Sequence, residues 1–542
     1  MSSDVSLWTG AQCRPLAIGY NGATSTPHAL ASETAIFVMK SGGNAIDAAV
    51  AAASMCAVVQ PFTSGIGGIG WATVYDAQRH ETHVLQFNGC IPRDIEPGVF
   101  AADAAGVVDW KQLEKEGRGL LGSLVPGLLS GWNELLAKYG TRSLADTLAP
   151  AIHVAEEGFP ASEFLAKMIA DAMPRLSRWA SSLELLAPGG HPLRAGERFR
   201  QPRLAETLAK IASGGIGTFY DGDIGRSLVR FYRDNGGALS ERDLAEYRPR
   251  WHQPLCHAFR GYTVRAAPAP LGDLSFLQGL AYLDEFKPFQ SLLDPDYIHV
   301  SLESAKLVRR DRDRWLGDAA DPEQIARLLD PDYIRAQAAT IGDRARRIAP
   351  SPPAPPHTIT LVTVDAAGNA VHLMQTIGMP FGTGAVAGET GIVTNGSMYF
   401  AHAHPEMPNG IVPGRRLEHN PVVMMAFDRD DRLELICGSP GGKTRVETVR
   451  QMLVNAIDFD MNLQEAIDAP RFIAAPDGIT GEFEQQFATS APLLLEKLRQ
   501  KGHVIVTTDR RFGTGQAVML DTSTGAMHAA ADWREEATAM AF

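Results

Sequence analysis

The chemistry in this chain is concentrated at one threonine. Thr358 follows a run carrying Pro352, Pro353, Pro355 and Pro356, which lacks the amide donors for a helix or a central strand and predicts an extended surface tether. If the bond between His357 and Thr358 is cut, Thr358 gains a free amine beside its own hydroxyl, the nucleophile and base of an N-terminal threonine hydrolase. Residues 358–364 are almost all β-branched and predict a strand buried on both faces. Asp365, Gly368 and Asn369 supply the turn. A three-residue loop with Gly368 in the left-handed region pairs Asp365 with Asn369 and, at the open end, Thr358 with Thr376; a bulge would shift that register by about one residue. Facing threonines also serve as plain sheet packing, and the pattern alone leaves both readings open.

Two glycines form a second candidate. Gly441 and Gly442 stand between the strand-like segment LELIC and a helix beginning near residue 444. Free amides at a helix start bind an anion or an oxyanion, and a simple strand-to-helix turn accounts for the pair equally well. Glycines 65, 67, 68 and 70 lie in a helix–loop–strand order, whereas a dinucleotide fingerprint needs a strand before the loop and a helix after it. They predict close backbone packing beside a core or pocket.

The elements that must position these groups follow from periodicity. Residues 45–59 predict an alanine-rich buried helix that other elements approach closely. Further helices are predicted at 28–40, 127–139, 143–157, over most of 161–212 with a break at 188–190, at 274–286 and at 297–315. Ser240 is placed to cap a short helix with Asp243 three positions on. The run RRDRDR at 309–314 predicts a solvated, self-paired helix face. Strands are predicted at 71–75 and 262–266, short strands dominate from the tether to about residue 440, and residues 504–519 predict a last hairpin. The sum is helices plus two sets of strands, an α+β fold with a layered sheet pair flanked by helices.

Composition narrows the function classes. The chain has 542 residues and a formal charge of -12, which argues against nucleic acid and an anionic membrane as partners. Five scattered cysteines, odd in number and without ligand spacing, suggest neither a disulfide framework nor a metal site. The first residues lack a basic segment followed by an apolar run, and residues 45–59 carry Asp47 and are too short to span a bilayer. A cytoplasmic enzyme is the simplest expectation.

Taken together and in order, several segments resemble the gamma-glutamyltranspeptidase family of N-terminal nucleophile hydrolases. They are HALASETAIFVMKSGGNAIDAAVAAA and QPFTSGIGGIG near the start, GSLVPG, YGTRSLADTLAPAIHVAEEGF, NGGALSERDLAEY and WLGD in the first two thirds, and FGTGAVAGETGIVTN, CGSPGGK and AIDAPRF after the tether. The resemblance implies a four-layer αββα sandwich made as one precursor. It also implies self-cleavage before Thr358 into a large subunit of residues 1–357 and a small one of residues 358–542, with room for a dimer of such pairs. It implies Thr376 as the second threonine beside the nucleophile, Gly441 and Gly442 as the oxyanion hole, and no metal or organic cofactor.

Set against the same family, the recognition groups depart. Where the resemblance implies an arginine clamp for a glutamyl carboxylate, the strand reads LQFNG with Asn88, and a neutral amide cannot replace a bidentate guanidinium. The segment led by Asn395 places Tyr399 and Phe400 where an acidic pair is implied. Glu418 and His419 stand for two serines, Gly378 stands for an asparagine, and the loop from 400 to 415 is short. This pattern is closer to the family's divergent amidohydrolases, the oxamate amidohydrolases and cephalosporin acylases. The expectation is an amide hydrolase with a non-glutamyl acyl group, a small carboxylate-bearing amide held by Arg415 or Arg416. A genuine glutathione hydrolase or transferase with a rearranged pocket is the first alternative, and an unprocessed binding protein on the same fold the second.

Overall fold

Hydrogen bonding around one hairpin organises the chain. The computed structural model describes residues 13–103, 106–269, 271–318, 320–350 and 358–542; the first residues, the tether and His357 lie outside them. Strand Ile359–Asp365 runs antiparallel to Ala370–Thr376, from Val364 opposite Ala370 to Ile359 opposite Gln375. The turn is the predicted one. The Asp365 amide donates to the Asn369 carbonyl at 3.1 Å, that of Gly368 to the Asp365 carbonyl at 3.0 Å, and Gly368 has φ +84°. Thr358 and Thr376 are therefore the next pair outward, with no bulge between.

The hairpin is central in a seven-stranded sheet ordered Thr538–Ala541, Gly22–Thr26, Ile359–Asp365, Ala370–Thr376, Ile69–Asp76, Glu81–Phe87 and Arg250–His252. A second seven-stranded sheet runs Ala17–Gly19, Met527–Ala531, Gln516–Leu520, Leu433–Gly438, Met424–Phe427, Tyr262–Ala266 and Leu255–Phe259. The sheets meet through Val362, Val364, Met425, Phe427, Ile436 and Val518. Gly438 lets the sheets approach closely, because a Cβ there would lie 2.2 Å from His372 Nε2.

Helices cover both outer faces, which completes an αββα sandwich. Ala45–Val59, buried along its whole length, packs on the hairpin and against Ala29–Lys40, Leu128–Tyr139 and Leu144–Glu157. Polar groups fix its register on the sheet. The Ala45 amide donates to Asp365 Oδ2 at 3.0 Å, Thr363 Oγ1 to the Ala45 carbonyl at 2.8 Å, and Gln375 Nε2 to the Ala53 carbonyl at 2.8 Å. On the opposite face Asp273–Asp284, Pro295–Trp315 and Arg445–Ile457 share one core.

Three expectations need correction. The run at 309–314 is self-paired as expected, Arg310 with Asp311 at 2.7 Å and Arg312 with Asp313 at 3.0 Å, but it is solvated only in part: Arg309, Asp311 and Arg312 are buried. Arg309 donates to the carbonyls of Ala474 and Ala475 and pairs with Glu447 at 3.1 Å, and Asp311 accepts from Gln278 at 2.9 Å and Tyr333 at 2.8 Å. Residues 504–519 are not a hairpin, because Val504–Thr508 pairs parallel with Thr480–Glu484 whereas Gln516–Leu520 belongs to the second central sheet. The helical stretch 161–212 is divided more widely than expected, with no helix between Leu186 and Pro202. Among the described residues no helix is long and apolar enough to cross a membrane.

Candidate active site

Thr358 is buried at the open end of the hairpin, and its Oγ1 accepts a hydrogen bond from Arg445 Nη2 at 2.8 Å. The neighbouring strand positions are fixed by a polar pair in the sheet interface. His372 Nδ1 faces the Met424 carbonyl at 3.1 Å and so carries the proton, which leaves Nε2 to accept from Thr360 Oγ1 at 2.9 Å. Burial holds the His372 imidazole down to about 4, so the ring is neutral at neutral pH.

Thr376 Oγ1 accepts from the Gly378 amide at 2.8 Å. Gly378 has φ +84°, and a Cβ on it would lie 2.6 Å from the Gly396 carbonyl oxygen, so this turn has no space for a side chain. The glycine loop fits the same wall: a Cβ on Gly68 would lie 2.5 Å from the Thr376 carbonyl oxygen. Close backbone packing, not phosphate binding, is the use of those glycines.

Gly441 and Gly442 both adopt positive φ, +142° and +57°, conformations that favour glycine. They end the link from Leu433–Gly438 and lead through a short 3₁₀ turn into helix Arg445–Ile457. The pair therefore sits immediately before the helix whose first residue touches Thr358. Sequence reasoning missed Arg445; its signal was an arginine three residues past Gly442, at a helix start that enters the site.

Arg445 is fully buried, and its Nη1 donates to the Asn420 carbonyl. With the Asn420 amide oriented to satisfy its neighbours, its nitrogen donates to Glu418 Oε1 at 2.5 Å and its oxygen accepts from Arg312 Nη1 at 3.0 Å. Arg312 also pairs with Asp313 at 3.0 Å, and Lys443 lies 3.5 Å from the same carboxylate. Burial raises Glu418 to about 7 and lowers Lys443 to about 8 and Arg445 to about 10. Asp273, raised by burial to about 6, accepts from the amides of Ala267, Val422 and Val423 and faces Arg445 electrostatically.

The remaining predicted recognition residues lie around this cluster with their polar groups engaged by the protein. Asn88 donates to the Leu417 carbonyl at 2.9 Å, and Arg416 donates to Asn88, Tyr247 and the Arg248 carbonyl, leaving its buried Nε without a partner. Arg415 donates to the carbonyls of Pro405, Met407 and Gly410, at 3.1 to 3.3 Å, and so shapes the short loop. Asn395 binds only backbone: Nδ2 donates to Gly67 and Leu124 at 2.8 Å each, and Oδ1 accepts from Leu124 at 2.9 Å and Ser397 at 3.2 Å. His419 faces the carbonyls of Leu417 and Ser397 and lies against Trp71 and Phe400. Burial lowers it to about 4, and a neutral ring donates to only one of those carbonyls. Tyr399 is further out, its ring tilted by 30° against Trp110 and its hydroxyl on Glu114. Among the described residues no three His, Cys, Asp or Glu side chains gather as a metal site.

The gamma-glutamyltranspeptidase family model matches residues 31–542, essentially the whole described chain. The chain belongs to the gamma-glutamyltranspeptidase family. Within the family its relatives fall into two activity groups. A glutathione hydrolase proenzyme of Bacillus subtilis strain 168 is 30% identical over 95% of this chain and 90% of its own length. The acylase ACY 1 proenzyme of Pseudomonas sp. strain V22 is 32% identical over 97% and 94%. In structure, the cephalosporin acylase of Bacillus halodurans superposes with a TM-score of 0.88 at 29% identity, over 100% of this chain and 99% of that one. A gamma-glutamyltranspeptidase chain of Helicobacter pylori covers 58% of this chain with a TM-score of 0.54. Both groups act on amides, so this member of the family is an amide hydrolase or acyltransferase of the N-terminal nucleophile type.

Proposed function

We propose that the protein is a self-processing threonine amidohydrolase that forms an acyl-enzyme on Thr358 with a small, non-glutamyl acyl group. The observation that supports this best is the Thr358 hydroxyl, buried at the tip of the central hairpin and hydrogen-bonded to a guanidinium. In maturation, Thr358 Oγ1 attacks the His357 carbonyl carbon, the peptide C–N bond breaks, and the acyl group moves to oxygen as an ester. Water then cleaves the ester, leaving a carboxylate on His357 and a free amine on Thr358, with subunits of residues 1–357 and 358–542.

In turnover that amine accepts the hydroxyl proton as Oγ1 attacks the substrate carbonyl, and it returns a proton to the leaving amine. Arg445 has no lone pair to accept a proton; its role is to stabilise negative charge developing on Oγ1. The amides of Gly441 and Gly442 serve as the oxyanion hole, each such donor worth about 3 kcal/mol in the transition state. The described cysteines are all unpaired, which suits a reducing, cytoplasmic setting.

Denaturing electrophoresis with amino-terminal sequencing tests this reading: two fragments are expected, the smaller beginning at Thr358. An intact chain after long incubation overturns it. The glutathione hydrolase relatives favour a second reading, true gamma-glutamyl transfer. Rapid release from a gamma-glutamyl anilide would replace the non-glutamyl proposal.

A further inference from the structure

A cavity of about 430 Å³ lies away from the Thr358 hydroxyl. The loop that follows Thr376 lines it through Thr383, the turn at 116–119 forms a second wall, and the chain leaving helix Glu163–Leu176 forms a third. Thr358, Arg445, Gly441 and Gly442 are all outside its lining. Its charges do not balance. Arg118, Arg175 and Arg178 face it against Glu114 and Glu116, in a chain whose formal charge is -12. Glu116 is turned to Gln112, whose Nε2 donates to it at 2.7 Å. Glu114 accepts from the Tyr399 hydroxyl and stands 3.8 Å from both Arg175 and Arg178, beyond hydrogen-bond distance.

The arginines are left with donors to spare. Arg118 is half-buried, and among the described residues no carboxylate pairs with its guanidinium. Arg175 donates through Nη2 to the Pro380 carbonyl, while its Nε is buried without a hydrogen-bond partner. A buried donor without an acceptor costs stability, and a ligand that brings the acceptor removes that cost. Guanidiniums take carboxylates and phosphates through paired hydrogen bonds. Trp179, packed beside Phe231, adds an aromatic wall against which a flat body can lie.

We infer that this cavity is an accessory binding site for a small aromatic dianion, a phosphate monoester or a dicarboxylate, held by Arg118, Arg175 and Arg178 with its ring against Trp179. The bound anion lies behind the loop that serves the second threonine: Arg175 holds Pro380, Thr383 lines the cavity, and the Gly378 amide of the same loop donates to Thr376 Oγ1 at 2.8 Å. Occupancy therefore ties the arginines to that loop and stabilises the fold. The site stands whether or not Thr358 is the nucleophile.

Titration calorimetry of the purified full chain with phenyl phosphate, phthalate, benzoate and phenol tests the inference. Both dianions should bind more tightly than benzoate, the better of them by about tenfold, and phenol should give no heat. Comparing phenyl phosphate with phthalate separates phosphate from dicarboxylate recognition. Arg118→Gln and Arg178→Gln should each weaken the better dianion by about tenfold. Glu114→Gln should tighten it, because a competing carboxylate is gone, and Arg335→Gln, on an exposed helix, should change nothing. The same dianion should raise the melting temperature of the wild type but not of Arg118→Gln. A purely structural role for these residues gives no tightening in Glu114→Gln, and that arm decides the matter if an arginine variant fails to fold. Equal affinities in wild type, Arg118→Gln, Arg178→Gln and Glu114→Gln would put the anion elsewhere and overturn the inference. Phenol binding as tightly as phthalate, or no heat from any anion at millimolar concentration, would overturn it too.

Discussion

The two helical layers of the sandwich do different work. Over the hairpin, Ala45–Val59 buries all 15 of its residues, and nearly all are small and apolar. Over the opposite sheet, Pro295–Trp315 and Arg445–Ile457 bury Glu303, Lys306, Arg309, Asp311, Arg312, Arg445, Glu447 and Arg450. The first layer holds the hairpin by close packing and three polar pins. The second accepts the desolvation cost of many charges, and in return delivers a guanidinium to the Thr358 hydroxyl. The position of the Thr358 hydroxyl and the charge beside it are thus supplied from opposite sides of the molecule.

The largest expected effect comes from removing the group both layers serve. Thr358→Ala should leave a single 58.4 kDa band and no turnover; two fragments from this variant would show that another nucleophile cleaves the chain. Within the charged layer, Glu447→Ala strands Arg309 and frees the Ala474 amide, which Glu447 now accepts at 2.7 Å. A loss of about 3–5 kcal/mol is expected, read as a lowered melting temperature. Its counterpart in the packed layer, Ala52→Leu, overfills a helix with no free space and should cost about 1–3 kcal/mol. If the leucine proves the worse of the two, the charged layer is less dependent on its pairs than its burial implies.

The smallest effect is a pH dependence. Burial raises Glu418 from 4.5 to about 7, so the folded state holds its proton longer than the unfolded chain, and this group contributes stability that declines as pH rises from 4.5 through 7. His372 and His419, both lowered by burial from 6.5 to about 4, act with the opposite sign: stability is full above 6.5 and is lost as pH falls through 4. The difference in melting temperature between wild type and Glu418→Gln, followed from pH 5 to pH 8, should therefore drift against the wild type by a few degrees. Parallel curves would mean that Glu418 keeps one protonation state throughout.

What was legible in the sequence divides along the same line. The hairpin register, with Thr358 opposite Thr376, follows from Asp365, Gly368 and Asn369 because turn geometry is local. The alanine-rich helix follows from the composition of residues 45–59. The run at 309–314 misled because alternating charges look alike whether their partners are neighbours or lie more than a hundred residues away, as Glu447 does from Arg309. Arg445 escaped for the same reason: nothing near it in sequence announces Thr358. The parallel pairing of Val504–Thr508 with Thr480–Glu484 is also non-local, and two strands close in sequence imitate a hairpin.

One consequence follows from the strand order. A cut before Thr358 would divide the chain but neither sheet, because each sheet contains strands from both residues 1–357 and 358–542: Gly22–Thr26 lies between Thr538–Ala541 and Ile359–Asp365, Ala370–Thr376 pairs with Ile69–Asp76, Ala17–Gly19 pairs with Met527–Ala531, and Met424–Phe427 pairs with Tyr262–Ala266. Dilution would not part such fragments, and a damaged one could not be exchanged for a fresh copy. Each molecule would mature once and keep the partner it was born with until it is degraded.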